Sequence, residues 1–349
     1  MSAKPSKVQT PLSVVKGKTA FITGGSSGIG LGIARVLSAA GMKVAFTYMS
    51  EKNRDHALSM FPAGNPGVHA IKLNTTDREG MVRAADEAQR VFGNIHLLVN
   101  NAGVGIPALI SNVSWQDWDW AMDVNINGVF SGIRTFLPRM LAHGEGAHIV
   151  STSSVAGLMG GMLGVYVTTK FAVVGMMESL RMEMTGRNIG VSVFCPGLVR
   201  TEIFNAERNR PLSHERSSAP PAPPPLNPGS MPVDLMGVAM DPMEAGEQVL
   251  AGIRRNDLYI LSHAEVKDVV GERGRLLMAS FSTRPVPAGR RAATAMIIPP
   301  IYAADLAKKK AGTKPAARKP ALKPAKKKRA LKTKRAAPAK GRRRPASKR

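Results

Sequence analysis

Short apolar runs alternate with segments of helical spacing along this chain, and this alternation restricts its fold more than any other feature. The run "TAFITGG" ends in glycines, "IGLGIARVLSAAG" follows with helical spacing, and "KVAFTYM" is strand-like again. Further strand-like runs follow in the same manner: "VHAIKLN", "HLLVNNAG", "AHIVSTSS" and "GVSVFCPG". Strands separated by helices of this length pair in parallel through right-handed crossovers. The sequence therefore predicts an α/β fold with a doubly wound parallel sheet and helices on both of its faces.

Composition divides the chain into one predicted domain and its extensions. Residues 1–15 are expected to be a flexible N-terminus, and residues 16–285 a single domain that the helix-then-strand pattern "DPMEAGEQVLAGIRRNDLYILSH" closes. Residues 205–232 are too rich in proline to build a helix or a central strand, so we expect a mobile insertion near the substrate site. Residues 286–307 are interpreted as a linker, and residues 308–349 as a disordered Lys/Arg/Ala/Pro tail that cannot bury enough apolar surface to fold alone.

The net charge of +25 is concentrated in that tail. Residues 308–349 hold 20 Lys and Arg and no acid, which leaves +5 for the first 307 residues. The tail is similar to those of linker-histone-like proteins, and such a tail binds phosphate backbones without sequence specificity. An alternative function is therefore a nucleic-acid-associated protein that uses the fold as a scaffold. A solvating extension and contact with acidic lipid are the other interpretations of the tail.

The single cysteine, Cys195, excludes an internal disulfide and a multi-cysteine metal site, so a cytoplasmic location is predicted. The N-terminus has no continuous apolar segment typical of a secretory signal. Residues 149–169 carry no charge but are crowded with Gly, Ser and Thr, which favours a buried strand-loop-helix segment over a transmembrane one. The scattered histidines form no helical metal pair, so no metal site is expected.

The stretch "TGGSSGIG" places Gly24, Gly28 and Gly30 between the first strand and the first helix. Glycine suits this turn because the chain bends sharply and a diphosphate must approach the backbone closely. The free N–H groups and the positive end of the helix dipole then face the phosphates. The sequence therefore predicts a dinucleotide site, with these candidate contacts: Gly24, Ser26, Ser27, Gly28, Ile29 and Gly30.

The position near the end of the second strand that often holds an acidic residue is occupied here by Tyr48. An acid about 20 residues after the glycines would bind the ribose hydroxyls of NAD. Without that acid a 2′-phosphate meets no like charge, and Lys52 or Arg54 could neutralise it. NADP is therefore preferred to NAD in this prediction, unless Glu51 points inward and reverses the preference.

The stretch "GVYVTTKFAVVG" places Lys170 four positions after Tyr166. On a helix both side chains lie on one face and can project into the same crevice. A phenol has an ordinary pKa near 10, and a nearby ammonium lowers that pKa by favouring the phenolate. The pair is therefore a candidate general acid/base; the alternative is a packed ring beside a lysine that reaches solvent.

Taken together, these motifs resemble those of the short-chain dehydrogenase/reductase family. The resemblance covers about residues 16–265, and its motifs come in the family's order: "TGGSSGIG", "NNAG", "VNING", "SSVAG", "YVTTK" and "CPGLVRT". It implies a Rossmann-type fold and the transfer of a hydride between NADP or NAD and a carbonyl or secondary alcohol substrate. It also implies a homo-oligomer, either a dimer or a tetramer.

The resemblance further implies roles for individual residues. Tyr166 would be the acid/base, Lys170 would lower its pKa and hold the nicotinamide ribose, Ser154 would bind the substrate oxygen, and Asn125 would anchor a proton-relaying water chain. The remaining cofactor contacts would be Tyr48, Asn74, Asn101, Ala102, Gly103, Pro196, Gly197 and Thr201. Ser154 lies 12 positions before Tyr166, one fewer than is usual in the family, so Ser153 stays open as the substrate-binding serine.

Overall fold

A seven-stranded parallel sheet forms the centre of the chain. The structure is a computed structural model that describes residues 10–215, 234–297 and 302–312. The strand order is β3-β2-β1-β4-β5-β6-β7, so the direction of winding reverses between β1 and β4. The strands are β1 (Thr19–Ile22), β2 (Lys43–Tyr48), β3 (Val68–Lys72), β4 (Leu97–Asn100), β5 (Ala147–Thr152), β6 (Ile189–Cys195) and β7 (Tyr259–Leu261).

Helices follow the strands and cover both faces of the sheet. They are α1 (Gly28–Ala39), α2 (Glu51–Ser59), α3 (Arg78–Phe92), α4 (Trp115–Met122), α5 (Gly128–His143), α6 (Gly164–Glu183), α7 (Leu235–Val238), α8 (Pro242–Arg255), α9 (Lys267–Ala279), α10 (Ala288–Ile297) and α11 (Ala303–Gly312). A π-helical turn, Asp123–Asn127, joins α4 to α5. The predicted doubly wound α/β fold is confirmed.

Two apolar cores hold these layers together, and β1 shows how the sequence builds both. Phe21 packs into the core with α3, α5 and α6, whereas Ala20 and Ile22 pack into the core with α1 and α8. All of β1 is buried because its side chains alternate between two covered faces. This is why the strand reads as a continuous apolar run.

Local capping signals fix the ends of α8, which packs against α1. The Asp241 carboxylate accepts a hydrogen bond from the Met243 amide, and Pro242 occupies the first helical turn. Asn256 ends the helix in the left-handed region, at φ 53°. These are the residues that favour a helix start and a helix end, and they set α8 before the edge strand β7.

The C-terminal segment departs from the simple sequence prediction. Helices α10 and α11 occupy much of the range that the sequence indicated as linker and the start of the tail. The chain divides into two units, Met1–Leu306 and Ala307–Arg349. Residues 1–9, the tail from residue 313 onward and most of the proline-rich segment, residues 216–232, lie outside the described residues. Of the predicted flexible N-terminus, Leu12 and Val15 are instead buried in the core with α1 and α8. Within the described ranges, no helix combines the length and the apolarity needed to cross a membrane.

Candidate active site

A cavity of about 400 Å³ opens at the carboxyl ends of the strands. Tyr48 and Asn74 line one end of it, the glycine turn after β1 lines the middle, and Tyr166 and Lys170 line the other end. The predicted catalytic and cofactor-contact residues all contribute to the lining except Gly30 and Asn125, which are buried. Lys52 and Arg54, the predicted partners of a 2′-phosphate, do not line the cavity either. The crevice is therefore at the position that a doubly wound sheet offers to a ligand.

The glycine turn has no room for side chains. Gly24 and Gly28 have φ values of +63° and +50°, in the left-handed region. A Cβ on Gly28 would lie 2.9 Å from Cγ2 of Thr201, and one on Gly30 would lie 2.2 Å from the carbonyl oxygen of Gly24. Ser27 makes no side-chain capping bond at the start of α1. This bare backbone at a helix N-terminus fits the diphosphate of a dinucleotide.

Two threonines that the sequence analysis did not single out fix this turn. The Thr23 hydroxyl accepts hydrogen bonds from the amides of Asn101 and Ala102, at 3.0 and 3.1 Å. The Thr47 hydroxyl accepts one from the Gly24 amide, at 3.0 Å. These bonds join the ends of β1, β2 and β4. Thr23 belongs to the "TGG" motif, but nothing in the sequence marks Thr47 as its counterpart.

At the Tyr48 end, basic and acidic side chains meet on α2. The Arg54 guanidinium lies 5.5 Å from the centroid of the Tyr48 ring, and it forms ion pairs with Glu51 and Asp55. Glu51 also pairs with Lys72, at 3.1 Å. Glu51 is thus bonded to cations on the protein surface rather than directed at the cavity.

Tyr166 and Lys170 are both buried on the first turns of α6. Nζ of Lys170 lies 5.3 Å from the Tyr166 ring centroid and donates to the carbonyl of Thr152, at 3.2 Å. Burial raises the pKa of Tyr166, although the Ser154 side chain acts to lower it, and burial lowers the pKa of Lys170 to about 8. From the spacing we expected the ammonium to lower the pKa of the phenol below its ordinary value. In the structure the pKa of Tyr166 is instead raised, because burial of the ring disfavours the phenolate.

The two neighbouring serines have different surroundings. The Ser153 hydroxyl donates to the carbonyl of Lys170, at 2.7 Å. The Ser154 hydroxyl accepts from the Ala156 amide, at 3.1 Å, and donates to the carbonyl of Pro196, at 3.4 Å. Ser154 also lies beside the Tyr166 hydroxyl, whereas Ser153 bonds the backbone of α6.

Asn125 lies in the π-helical turn between α4 and α5. Its amide group donates to the carbonyl of Val104, at 2.9 Å, and accepts from the Val104 amide, at 2.8 Å. It also donates to the Thr169 hydroxyl, at 3.1 Å. These bonds tie the chain after "NNAG" to α6. Single-turn π segments of this kind often mark functional sites.

The far end of the cavity, beyond Tyr166, is lined by apolar side chains together with Glu202, Arg208 and Asn209. The centroid of the Phe204 ring lies 6.1 Å from that of Tyr166. The apolar side chains that line this end include Trp120, Val155, Leu163, Leu198, Ile203 and Phe204. Three tryptophans precede Asn125 in the sequence; of these, Trp120 is buried and lines the cavity, and Trp115 is exposed. Phe204 carried no recognisable signal.

Several known proteins are similar to this chain. Residues 18–211 match the short chain dehydrogenase family. The chain is 36% identical over 256 residues to the C alpha-dehydrogenase of Sphingobium sp. strain SYK-6, covering 72% of this chain and 82% of that protein. It is 35% identical over 192 residues to a 3-oxoacyl-acyl-carrier-protein reductase of Thermotoga maritima, covering 54% of this chain and 77% of that protein.

A solved structure is similar over a larger part of the chain. The short chain dehydrogenase/reductase of Burkholderia phymatum in complex with NAD is 30% identical and superimposes with a TM-score of 0.72, covering 78% of this chain and 99% of that one. None of these comparisons supports the nucleic-acid alternative.

Proposed function

This chain belongs to the short-chain dehydrogenase/reductase family and is a nicotinamide-dependent oxidoreductase, and we propose that Tyr166, Lys170 and Ser154 carry its reaction. The observation that carries the proposal is the convergence of these three side chains at one end of a cavity whose other end is a bare glycine turn. An extended dinucleotide would lie along this cavity, with Gly24, residues 26–29, Tyr48 and Asn74 at its phosphates and adenosine, and with Pro196, Gly197 and Thr201 near its nicotinamide.

The bound nicotinamide would supply a hydride to a carbonyl carbon, or take one from a secondary alcohol. Ser154 would hold the substrate oxygen by a hydrogen bond. In the direction of reduction Tyr166 would donate its hydroxyl proton to that oxygen, and in the direction of oxidation the phenolate would accept it. The raised pKa of Tyr166 keeps the phenol protonated at neutral pH, which suits proton donation.

Lys170 and Asn125 would assist the proton transfer without contacting the substrate carbon. The Lys170 ammonium would stabilise the phenolate that forms after proton donation and bind the nicotinamide ribose. Asn125 holds Val104 and Thr169 in place beside Lys170. We propose that it positions the proton path to Lys170, as the family resemblance implies.

NADP is the proposed cofactor in preference to NAD. One support is that Tyr48 ends β2 in the place of an acid, which would have repelled a 2′-phosphate. The other is the Arg54 guanidinium, which lies beside the Tyr48 ring. Measuring kcat/KM with NADPH and NADH tests the preference. Arg54→Gln should weaken NADPH binding and leave NADH binding nearly unchanged; a loss of equal size for both cofactors would contradict the assignment.

The substrate is proposed to be an apolar ketone or secondary alcohol whose hydrocarbon or aromatic group contacts Phe204, Trp120 and Leu163. The support is the apolar lining beyond Tyr166. A panel of aromatic and alkyl ketones, small aldehydes and the matching alcohols, assayed with each cofactor, tests both the reaction and this substrate class. Turnover only with small polar carbonyls would contradict the class, and no turnover with any member would contradict the reaction.

Two further proposals concern the setting of the enzyme. A homo-oligomer is proposed by family resemblance, with α5 and α6 as the contact helices; α5 exposes Phe130 and Leu141. Light scattering after gel filtration measures the oligomeric state directly.

The proposed location is a reducing cytoplasm, because Cys195 is a free, buried thiol.

A further inference from the structure

Residues 203–215, called here the wall segment, follow β6 and lie against α4. Arg210 is the centre of this contact. Its guanidinium lies 4.1 Å from the centroid of the Trp120 ring, and its Nη2 lies 2.5 Å from Oδ1 of Asp117. The Asp117 side chain is 0% exposed and that of Arg210 8% exposed. The proline-rich region, expected from the sequence to be irregular, therefore begins with a buried ion pair.

Arg210 also organises the wall segment itself. It donates to Glu207, at 2.7 Å, and to the carbonyl of His214, at 2.9 Å. His214 in turn lies 3.1 Å from Oδ2 of Asp123, at the start of the π-helical turn. At the other end of the segment, the carbonyl of Ile203 accepts from the Gly105 amide, at 3.1 Å. The wall segment is thus fixed at both ends.

The buried ion pair is better explained as fixing the position of the wall segment than as stabilising the folded protein. The desolvation of two charges largely offsets their attraction, so the pair itself adds little to the free energy of unfolding. Removing one partner nevertheless leaves an uncompensated buried charge. The stacking of the guanidinium on Trp120 adds a directional preference for this one arrangement.

The same contact defines the substrate end of the cavity. Phe204 and Ala206 of the wall segment line that end, and so does Trp120. Ala206 and Trp120 belong to one apolar cluster with Val165, the residue before Tyr166. Arg210 therefore joins the segment that carries Phe204 to the helix that carries Trp120.

We propose that Arg210 and Asp117 are positioning residues that fix the wall segment as a preformed side of the substrate cavity, and so determine the affinity for apolar substrates. This inference rests on the proposed function for its kinetic consequence only. Arg210 contacts Trp120, Asp117, Glu207 and the carbonyl of His214, all at the substrate end, so the pair is expected to act on substrate binding and to leave cofactor binding alone.

Arg210→Met, which keeps the apolar stem but removes the charge, tests the proposal. We expect KM for a bulky apolar ketone to rise by about 10-fold or more while kcat changes by less than about 3-fold. The Kd for NADPH, measured by fluorescence, should stay unchanged, and limited proteolysis should cleave the wall segment faster. Arg200→Met is the matched control, because Arg200 pairs with Asp241 at the surface, and it should change none of these values.

Combining Arg210→Met with Asp117→Asn separates a loss of wall-segment position from a general loss of folding. If the pair acts as a unit, the double variant should show about the same KM as each single variant, and Arg210→Lys should recover part of the affinity. Unchanged KM and unchanged proteolysis in Arg210→Met would overturn the proposal. Proteolysis of the free protein tests the wall segment even if no carbonyl substrate is turned over, so failure of the proposed function remains distinguishable.

Discussion

The Lys170 ammonium donates to the carbonyl of Thr152 and lies over the ring of Tyr166, 5.3 Å from its centroid. The cation is therefore held beside the phenol by the end of β5. Both side chains are buried, and burial moves their pKa values in opposite directions, because it disfavours the phenolate and the ammonium alike. The charge of Lys170 is the part of this arrangement that changes near physiological pH.

The first prediction is that ketone reduction declines as pH rises through about 8, the pKa of Lys170. Below that pH the ammonium is present to stabilise the phenolate, and above it the lysine is neutral. The measurement is kcat/KM for the ketone from pH 6 to 10. In Lys170→Arg the residual activity should not decline in this range, since the guanidinium stays charged. If this variant declines in the same way as the wild type, another group causes the decline.

The second prediction separates the two serines. Ser154→Ala should reduce kcat by about 100-fold, because it removes the hydroxyl beside Tyr166. Ser153→Ala should chiefly lower the free energy of unfolding, because the Ser153 hydroxyl bonds the buried carbonyl of Lys170. Steady-state kinetics and urea denaturation of both variants measure the difference. A greater loss of kcat in Ser153→Ala than in Ser154→Ala would identify Ser153 as the substrate-binding serine.

The third prediction concerns the glycine turn. Gly28→Ala should weaken NADPH binding by about 10-fold or more, because the new Cβ would strain a left-handed residue and approach Thr201. Gly64→Ala is the matched control: Gly64 has a similar φ of +67°, and its Cβ would meet nothing within 4 Å. Fluorescence titration with NADPH should show wild-type affinity for the control. Equal losses of affinity in both variants would mean that backbone strain is responsible, and not the contact between the new Cβ and Thr201.

The fourth prediction concerns stability at the opposite end of the sheet. Nδ1 of the buried His96 accepts from the Thr19 amide, so Nε2 carries the proton donated to Glu145, at 2.8 Å. Burial lowers the pKa of His96 from 6.5 despite that carboxylate. The folded state therefore binds fewer protons than the unfolded state, and stability present above pH 6.5 is lost as pH falls below it.

Urea denaturation at pH 7.5, 6.5 and 5.5 measures this effect. The free energy of unfolding should fall towards pH 5.5 in the wild type and fall less in His96→Gln, which removes the titrating group. Since the pKa of Glu145 is lowered to about 2, that carboxylate remains charged over this range and contributes no slope of its own. A wild-type stability that rises as pH falls would contradict the direction of the His96 shift.

Much of the fold could be predicted because its signals are local. The apolar run of β1, the glycines after it and the helical spacing of α1 lie within about twenty consecutive residues, and each predicts its own conformation. The crevice then follows from the topology, since parallel strands end at the same edge of the sheet. This is why most of the predicted site residues line one cavity.

What the sequence could not show depends on contacts between distant positions or on burial. Arg210 and Asp117 are 93 positions apart, and nothing near either residue indicates the other. The choice between Ser153 and Ser154 depends on which hydroxyl meets the carbonyl of Lys170. The direction of the Tyr166 pKa shift depends on the desolvation of the ring, which spacing along α6 does not reveal.

The most direct test of the central claim, that the Tyr166 hydroxyl transfers the proton, is the turnover of Tyr166→Phe measured beside its affinity for NADPH. We expect kcat to fall by about 1000-fold, within the range of general acid catalysis, while the Kd for NADPH stays near the wild-type value. Wild-type turnover in this variant would contradict the claim.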